Sequence, residues 1–217
     1  MIRGIIFDLD GTLISERKYI LSCLENAGAY IERTYGDKET YSKLKSLFEA
    51  KWEKVFDRYF EQEKISYTED DIRNLVKVYR ETEPAVTLYP DVTETLKSLS
   101  VKGIKLALLT NGYYEIQKKK IEKAHLEQFF DLIVIPDKIG RHCWKPSEWG
   151  YDLILNEFGI PPEELLSIGD MNHDFIVPQL KGMKCTYIER DDRMKDLDTE
   201  IEIHSKINSL KELEKRL

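Results

Sequence analysis

The chain has 217 residues with a formal net charge of −7, enough length for one large domain or for a core plus a smaller one. That acidic balance argues against a nucleic-acid backbone as partner, which needs basic surface, and no apolar stretch approaches the length of a membrane span. Cys23, Cys143 and Cys185 are odd in number and far apart, which speaks against a disulfide framework and, with no signal-peptide pattern ahead of the first strand, for a reducing cytoplasm.

The chain is organised around its first element. Ile5, Ile6 and Phe7 form a short apolar run closed by Asp8-Leu9-Asp10-Gly11-Thr12, which reads as a strand buried on both faces and stopped by a turn. Two carboxylates, Asp8 and Asp10, stand two residues apart where that strand ends. Anions held this close repel unless a cation or a proton lies between them. The pattern asks for a metal.

From Ser15 to Glu83 the spacing is helical. Ile20, Leu24, Ala27 and Ile31 mark one stripe. A longer stripe runs through Leu44, Leu47, Phe48, Trp52, Val55, Phe56, Tyr59 and Phe60, and a third through Ile72, Leu75, Val76 and Tyr79. Three or four amphipathic helices with no strand among them predict a small bundle. Seven of the 12 tyrosines fall here, so the segment is compositionally distinct. Most of that aromatic stripe belongs to a core.

After Glu83-Pro84 helices and strands alternate. A helix is predicted over 91–102, with Pro90 ahead of it and Gly103 closing it. Strands are predicted at 104–109, 131–135, 165–168 and 184–188, with helices at 113–125, 147–158 and 175–181. Short apolar strands alternating with helices imply a doubly wound parallel sheet built from right-handed βαβ units. The tail, 205–217, is expected to end in a helix. The boundaries that follow are 1–14 with 84–217 for the α/β core, and 15–83 for an inserted all-helical domain.

Polar residues recur at the carboxyl ends of the predicted strands, where open α/β sheets bind ligands. Thr110-Asn111-Gly112 follows the second strand, Lys145-Pro146 precedes a helix, and Gly169-Asp170 follows the fourth strand with Asp174 four residues on. Each alone has an ordinary explanation as a turn, a solvated lysine or a helix cap. Together they place carboxylates, a hydroxyl and an ammonium at one place, which a cation plus a phosphate would satisfy. Two other features compete for notice. His142, Cys143 and His173 lack zinc-ligand spacing, and Lys118-Lys119-Lys120 reads as a solvated helix face.

The ordered set resembles the haloacid dehalogenase superfamily of phosphohydrolases. Asp8-Leu9-Asp10-Gly11-Thr12 is similar to that family's first motif and Thr110-Asn111-Gly112 to its second. Lys145-Pro146 matches the third, and Gly169-Asp170 with Asp174 the fourth. The resemblance covers essentially the whole chain and implies a Rossmann-like core with a helical cap inserted after the first motif. It also implies roles: Asp8 the nucleophile, Asp10 the general acid and then base, Thr110, Asn111 and Lys145 the groups that bind the phosphoryl oxygens. Mg²⁺ would be held by Asp8, the backbone carbonyl of Asp10 and Asp170, with Asp174 orienting Lys145 or a metal-bound water.

The function so implied is a Mg²⁺-dependent phosphatase for a small phosphorylated metabolite, with no nucleic-acid or membrane partner, as a monomer or homodimer. A phosphosugar mutase of the same family is the alternative. A 2-haloacid dehalogenase is disfavoured, because carbon–halogen cleavage needs no acid and that branch lacks an equivalent of Asp10. A non-catalytic phosphate-binding protein is disfavoured because binding alone does not need both Asp8 and Asp10.

Overall fold

The structure is a computed structural model that describes residues 1–50, 53–81, 83, 85–192 and 203–215. Trp52 of the long aromatic stripe and Pro84 of the second linker therefore lie outside the described residues. The chain divides into two compact units, Met1–Arg17 with Val86–Leu217, and Lys18–Ala85.

The first unit is a six-stranded, wholly parallel sheet in the order β3-β2-β1-β4-β5-β6. Its strands are β1 (Gly4–Phe7), β2 (Lys105–Leu109), β3 (Leu132–Val134), β4 (Leu165–Gly169), β5 (Lys184–Ile188) and β6 (Ser205–Ile207). Every residue of β1 is buried, because β2 and β4 flank it and helices cover both faces. Period-2 alternation explains the split of the core. Ile5 and Phe7 point to one side with Leu106, Leu108, Leu96 and Leu99. Ile6 points to the other with Ala107, Leu109, Tyr151 and Ile154. The helices of this unit are α5 (Val92–Val101), α6 (Tyr114–Lys123), α7 (Trp149–Phe158) and the short α8 (Ile176–Leu180). The strand order reverses at β1, which places the switch point beside the first motif.

The tail, expected to end in a helix, carries a 3₁₀ helix over Leu210–Lys215, but it first forms β6, which is not expected. Three residues of strand are too short to leave a period in the sequence.

The second unit holds most of α1 (Glu16–Tyr35), with α2 (Thr40–Glu49), α3 (Val55–Glu63) and α4 (Glu69–Glu81). The stripe read as continuous from Leu44 to Phe60 is carried by two helices, α2 and α3. Its apolar residues still meet in one core, where Leu24, Ala27, Ile31, Leu44, Leu47, Phe56, Tyr59, Phe60 and Leu75 are buried together. Among the described residues no helix is long and apolar enough to cross a membrane.

The tail is tied to the first-motif loop by a buried ion pair. Arg190, just past β5, donates through Nη2 to the Thr12 carbonyl oxygen at 2.7 Å and through Nη1 to Asp91 Oδ2 at 2.8 Å. Its guanidinium also lies over the Tyr89 ring, 4.1 Å from the centroid. Asp91 does not cap its own helix. Its Oδ2 instead accepts from Ser209 Oγ and the Leu210 amide, each at 2.7 Å.

Removing one partner of a buried pair leaves the other uncompensated. Asp91→Ala should therefore lower unfolding free energy by about 3 kcal/mol or more in denaturant titration. A loss of about 1 kcal/mol or less, the size of a surface pair, would contradict this role. Burial pushes the Asp91 carboxyl up, but bonds from Arg190 and Ser209, the Arg190 charge and the Leu210 amide outweigh it and hold it below the ordinary range. Its contribution is complete above the unfolded value of 3.8 and fades as pH falls through the lower folded value. The gap between wild type and Asp91→Ala should narrow accordingly on acidification.

Candidate active site

Sheet pairing carries β1 one residue past Phe7, since the Asp8 amide donates to the Ile168 carbonyl at 2.9 Å. The chain then turns back on itself: the Leu13 and Ile14 amides both reach the Leu9 carbonyl, at 2.9 and 3.0 Å. Gly11 makes the turn possible with φ of +77°, and a Cβ there would run into the Asp170 carboxylate. The turn brings the first and fourth motifs together.

Asp8 is buried at 8% exposure. Its Oδ1 accepts from Lys145 Nζ at 2.5 Å, and the same ammonium donates to Asp174 Oδ1 at 2.6 Å. Lys145 is held by Asn111, whose Oδ1 accepts from the Lys145 amide at 2.8 Å and whose Nδ2 donates to the Lys145 carbonyl at 3.0 Å. Asn111, expected to bind substrate, thus has both ends of its side-chain amide engaged in placing Lys145. Asp174 is fixed as firmly. Its Oδ2 accepts from the Met171 amide at 3.0 Å, and its carbonyl from Ser167 Oγ at 2.9 Å and Tyr151 Oη at 3.2 Å.

The electrostatics follow from one ammonium serving three carboxylates. Burial pushes the Asp8 carboxyl up to about 7, with Lys145 opposing and Asp174 and Asp10 adding to the rise. Burial, then the charges of Asp8, Asp174 and Glu16, push Asp170 up to about 9 against Lys145. Burial works to lower Lys145, but Asp174 and Asp8 outweigh it and raise its pKa, so it stays charged.

Asp8, Asp170 and Asp174 each offer an oxygen within 4.8 Å of the others. Asp170 Oδ1 is buried without a hydrogen-bond partner. An orphaned carboxylate oxygen in a cluster with excess negative charge fits a hard divalent cation, which takes oxygen ligands. Asp174 has both oxygens engaged, so Asp8 and Asp170 are the side chains best placed to hold it. His142, Cys143 and His173 join no such group among the described residues, and His173 Nε2 lies 3.6 Å from Asp174 Oδ1.

Asp10 faces elsewhere. Its two carboxylate oxygens accept from Lys120 Nζ at 2.8 and 2.9 Å, and Oδ2 also accepts from Gln117 Nε2 at 2.8 Å. The same Gln117 nitrogen donates to Thr110 Oγ1 at 2.6 Å. The run Lys118-Lys119-Lys120 is therefore not one solvated face. Lys118 and Lys119 are exposed, while Lys120 is 4% exposed and turned inward on the i,i+3 face it shares with Gln117.

Asp8, Asp10, Thr110 and Asn111 line one cleft of about 180 Å³, together with Glu16, Met171 and His173. A larger hollow of about 380 Å³ beside β3 is lined by Tyr114, Ile121, Ile133, Trp149 and others. It contains none of the motif residues. Sequence reasoning missed Gln117, Lys120 and Glu16. For the first two the only available signal was their i,i+3 spacing just after the second motif.

The chain is similar to known proteins. The haloacid dehalogenase-like hydrolase family matches residues 5–188. The phosphoglycolate phosphatase of Aquifex aeolicus (strain VF5) is 34% identical over 184 residues, covering 84% of this chain and 82% of its own. The pyrophosphatase PpaX of Halalkalibacterium halodurans is 28% identical over 188 residues, covering 86% and 83%. A HAD-superfamily hydrolase of subfamily IA from Geobacter sulfurreducens PCA shares the fold with a TM-score of 0.73 at 17% identity, over 100% of this chain and 96% of that one. The putative HAD-hydrolase YfnB from Bacillus subtilis, solved bound to magnesium, does so with a TM-score of 0.70 at 20% identity, over 100% and 98%. The chain belongs to the haloacid dehalogenase-like hydrolases and is a phosphatase of that family.

Proposed function

We propose that the chain removes phosphate from a small phosphorylated metabolite through an aspartyl-phosphate on Asp8, with Mg²⁺ as cofactor, in the cytoplasm. The observation that carries this reading is the buried Asp8 carboxylate held by Lys145 beside the orphaned oxygen of Asp170. Asp8 attacks phosphorus, the bond to the leaving oxygen breaks, and Asp10 gives that oxygen a proton. Water then attacks the phosphorus of the acyl-phosphate while Asp10 takes its proton, releasing phosphate and restoring Asp8. Lys145 and Thr110 neutralise and orient the phosphoryl oxygens, where charge must be met. Asn111 and Asp174 hold Lys145 in place. Asp8, Asp170 and the Asp10 backbone carbonyl would hold Mg²⁺, which supplies Lewis-acid neutralisation of phosphoryl charge.

In this reading residues 15–83 form the cap domain and residues 1–14 with 84–217 the core domain, and the cap confers selectivity among metabolites. The names of the relatives make 2-phosphoglycolate and pyrophosphate the first compounds to try.

The direct test is a panel of phosphorylated metabolites with Mg²⁺, reading released phosphate with and without a chelator. Phosphate release that stops on chelation and returns with Mg²⁺ is expected. Formation of an isomeric phosphate without free phosphate would instead establish a mutase. A second test isolates Asp10. Asp10→Asn should slow hydrolysis of a poor leaving group such as phenyl phosphate by about 10²-fold or more, the range for a lost general acid. Its effect on kcat/KM for 2,4-dinitrophenyl phosphate, which reports the first transfer and not the shared hydrolysis of the acyl-phosphate, should be far smaller, because that leaving group needs no proton. Equal losses on both would contradict the acid role.

A further inference from the structure

We infer that Lys120, with Gln117, is a positioning residue for Asp10, setting the carboxylate in the orientation from which it serves the leaving oxygen. This inference rests on the acid–base reading of Asp10 given above. The cleft contains two separate ionic groups. Lys145 joins Asp8 and Asp174, while Lys120 grips both oxygens of Asp10. The division keeps Asp10, only two residues from Asp8, from competing for the Lys145 ammonium.

Three hydrogen bonds from one helix face fix the carboxylate. Lys120 Nζ reaches Oδ1 and Oδ2, Gln117 Nε2 reaches Oδ2, and that amide nitrogen also holds Thr110 Oγ1. Gln117 therefore ties the hydroxyl assigned to a phosphoryl oxygen to the carboxylate assigned to the leaving oxygen. The turn before α6 is shaped to permit this. Gly112 adopts φ of +125°, and a Cβ there would lie 2.9 Å from the Gln117 side chain. Both donors are almost fully buried, Gln117 at 2% and Lys120 at 4% exposure, while Asp10 lines the cleft. Removing Lys120 alone leaves Asp10 without its counter-ion, which costs stability as well as position. Misplacing a reacting group by about 1 Å costs about 10²-fold in rate. The leaving-group dependence of the loss, which a change in stability does not produce, therefore carries the test.

The test is a leaving-group series of aryl phosphates, from phenyl to 2,4-dinitrophenyl phosphate, applied with Mg²⁺ to Lys120→Met, Lys120→Arg, Asp10→Asn and the Asp10→Asn/Lys120→Met double variant. Lys120→Met should lose at least about 10-fold more kcat/KM on phenyl than on 2,4-dinitrophenyl phosphate, since kcat/KM reports the first transfer and not the shared hydrolysis step. Lys120→Arg, whose fork also meets a carboxylate with two bonds, should recover most of the loss. Adding Lys120→Met to Asp10→Asn should cost nothing further on phenyl phosphate, as expected when one residue acts through the other.

Equal losses across the series, or losses that add in the double variant, would overturn the inference. A steepened series for Asp10→Asn beside a flat one for Lys120→Met would overturn it alone. A flat series for Asp10→Asn would overturn the acid assignment and the inference with it. Gln117→Leu, which removes one donor but no charge, carries the test if Lys120→Met does not fold. It should show the same leaving-group signature at smaller size, and a flat response would again count against the inference.

Discussion

A single ammonium held between buried carboxylates is the constraint on which the rest of the structure depends. Lys145 Nζ lies 2.5 Å from Asp8 and 2.6 Å from Asp174, and Asp170 adds a third carboxylate to the same cluster. Removing three anions from water with one cation among them is unfavourable unless bonds and further positive charge compensate. Much of the surrounding architecture serves that compensation. Asn111 clamps the Lys145 backbone, Ser167 and Tyr151 hold the Asp174 carbonyl, and the absence of a Cβ at Gly11 gives Asp170 its room. What remains is an excess of negative charge and one orphaned oxygen. That remainder is what makes the centre receptive to a divalent cation and to the phosphate it would bring.

The second ionic group gives the cleft its asymmetry. Asp8 and Asp10 are separated by one residue, yet their carboxylates answer to different lysines on different elements. Lys145 reaches Asp8 from the loop ahead of α7, and Lys120 reaches Asp10 from α6. In the proposed chemistry these two carboxylates do opposite work, one attacking phosphorus and the other trading a proton with the leaving oxygen and then with water. Separate counter-ions let one short loop carry both.

Local signals made the first strand and the four motif positions legible in the sequence. An apolar run ending in Asp8-Leu9-Asp10-Gly11-Thr12, and polar residues at the ends of later strands, are read without knowing any long-range contact. The parallel sheet followed from alternation of strands and helices. Other features depended on contacts distant in sequence. Lys120 stood in a basic run, and nothing in that run says which lysine turns inward, since the answer lies 110 residues away at Asp10. β6 is only three residues long and exists because β5 offers it an edge. The Arg190–Asp91 pair joins segments 99 residues apart, and neither residue belongs to a motif. Asn111 stands out in the sequence beside Thr110, but the use of its amide to hold Lys145 could be seen only once both loops were in view.

Covalent capture of the intermediate tests the central claim most directly. The enzyme is mixed with 2,4-dinitrophenyl phosphate and Mg²⁺, quenched during turnover, and treated with borohydride, which reduces an acyl-phosphate to the alcohol. The modified position is then located by peptide mass spectrometry. The account predicts reduction at position 8 only, dependent on substrate and absent in Asp8→Asn. Reduction at another carboxylate, or none at any position while dinitrophenol is released in a burst, would contradict it.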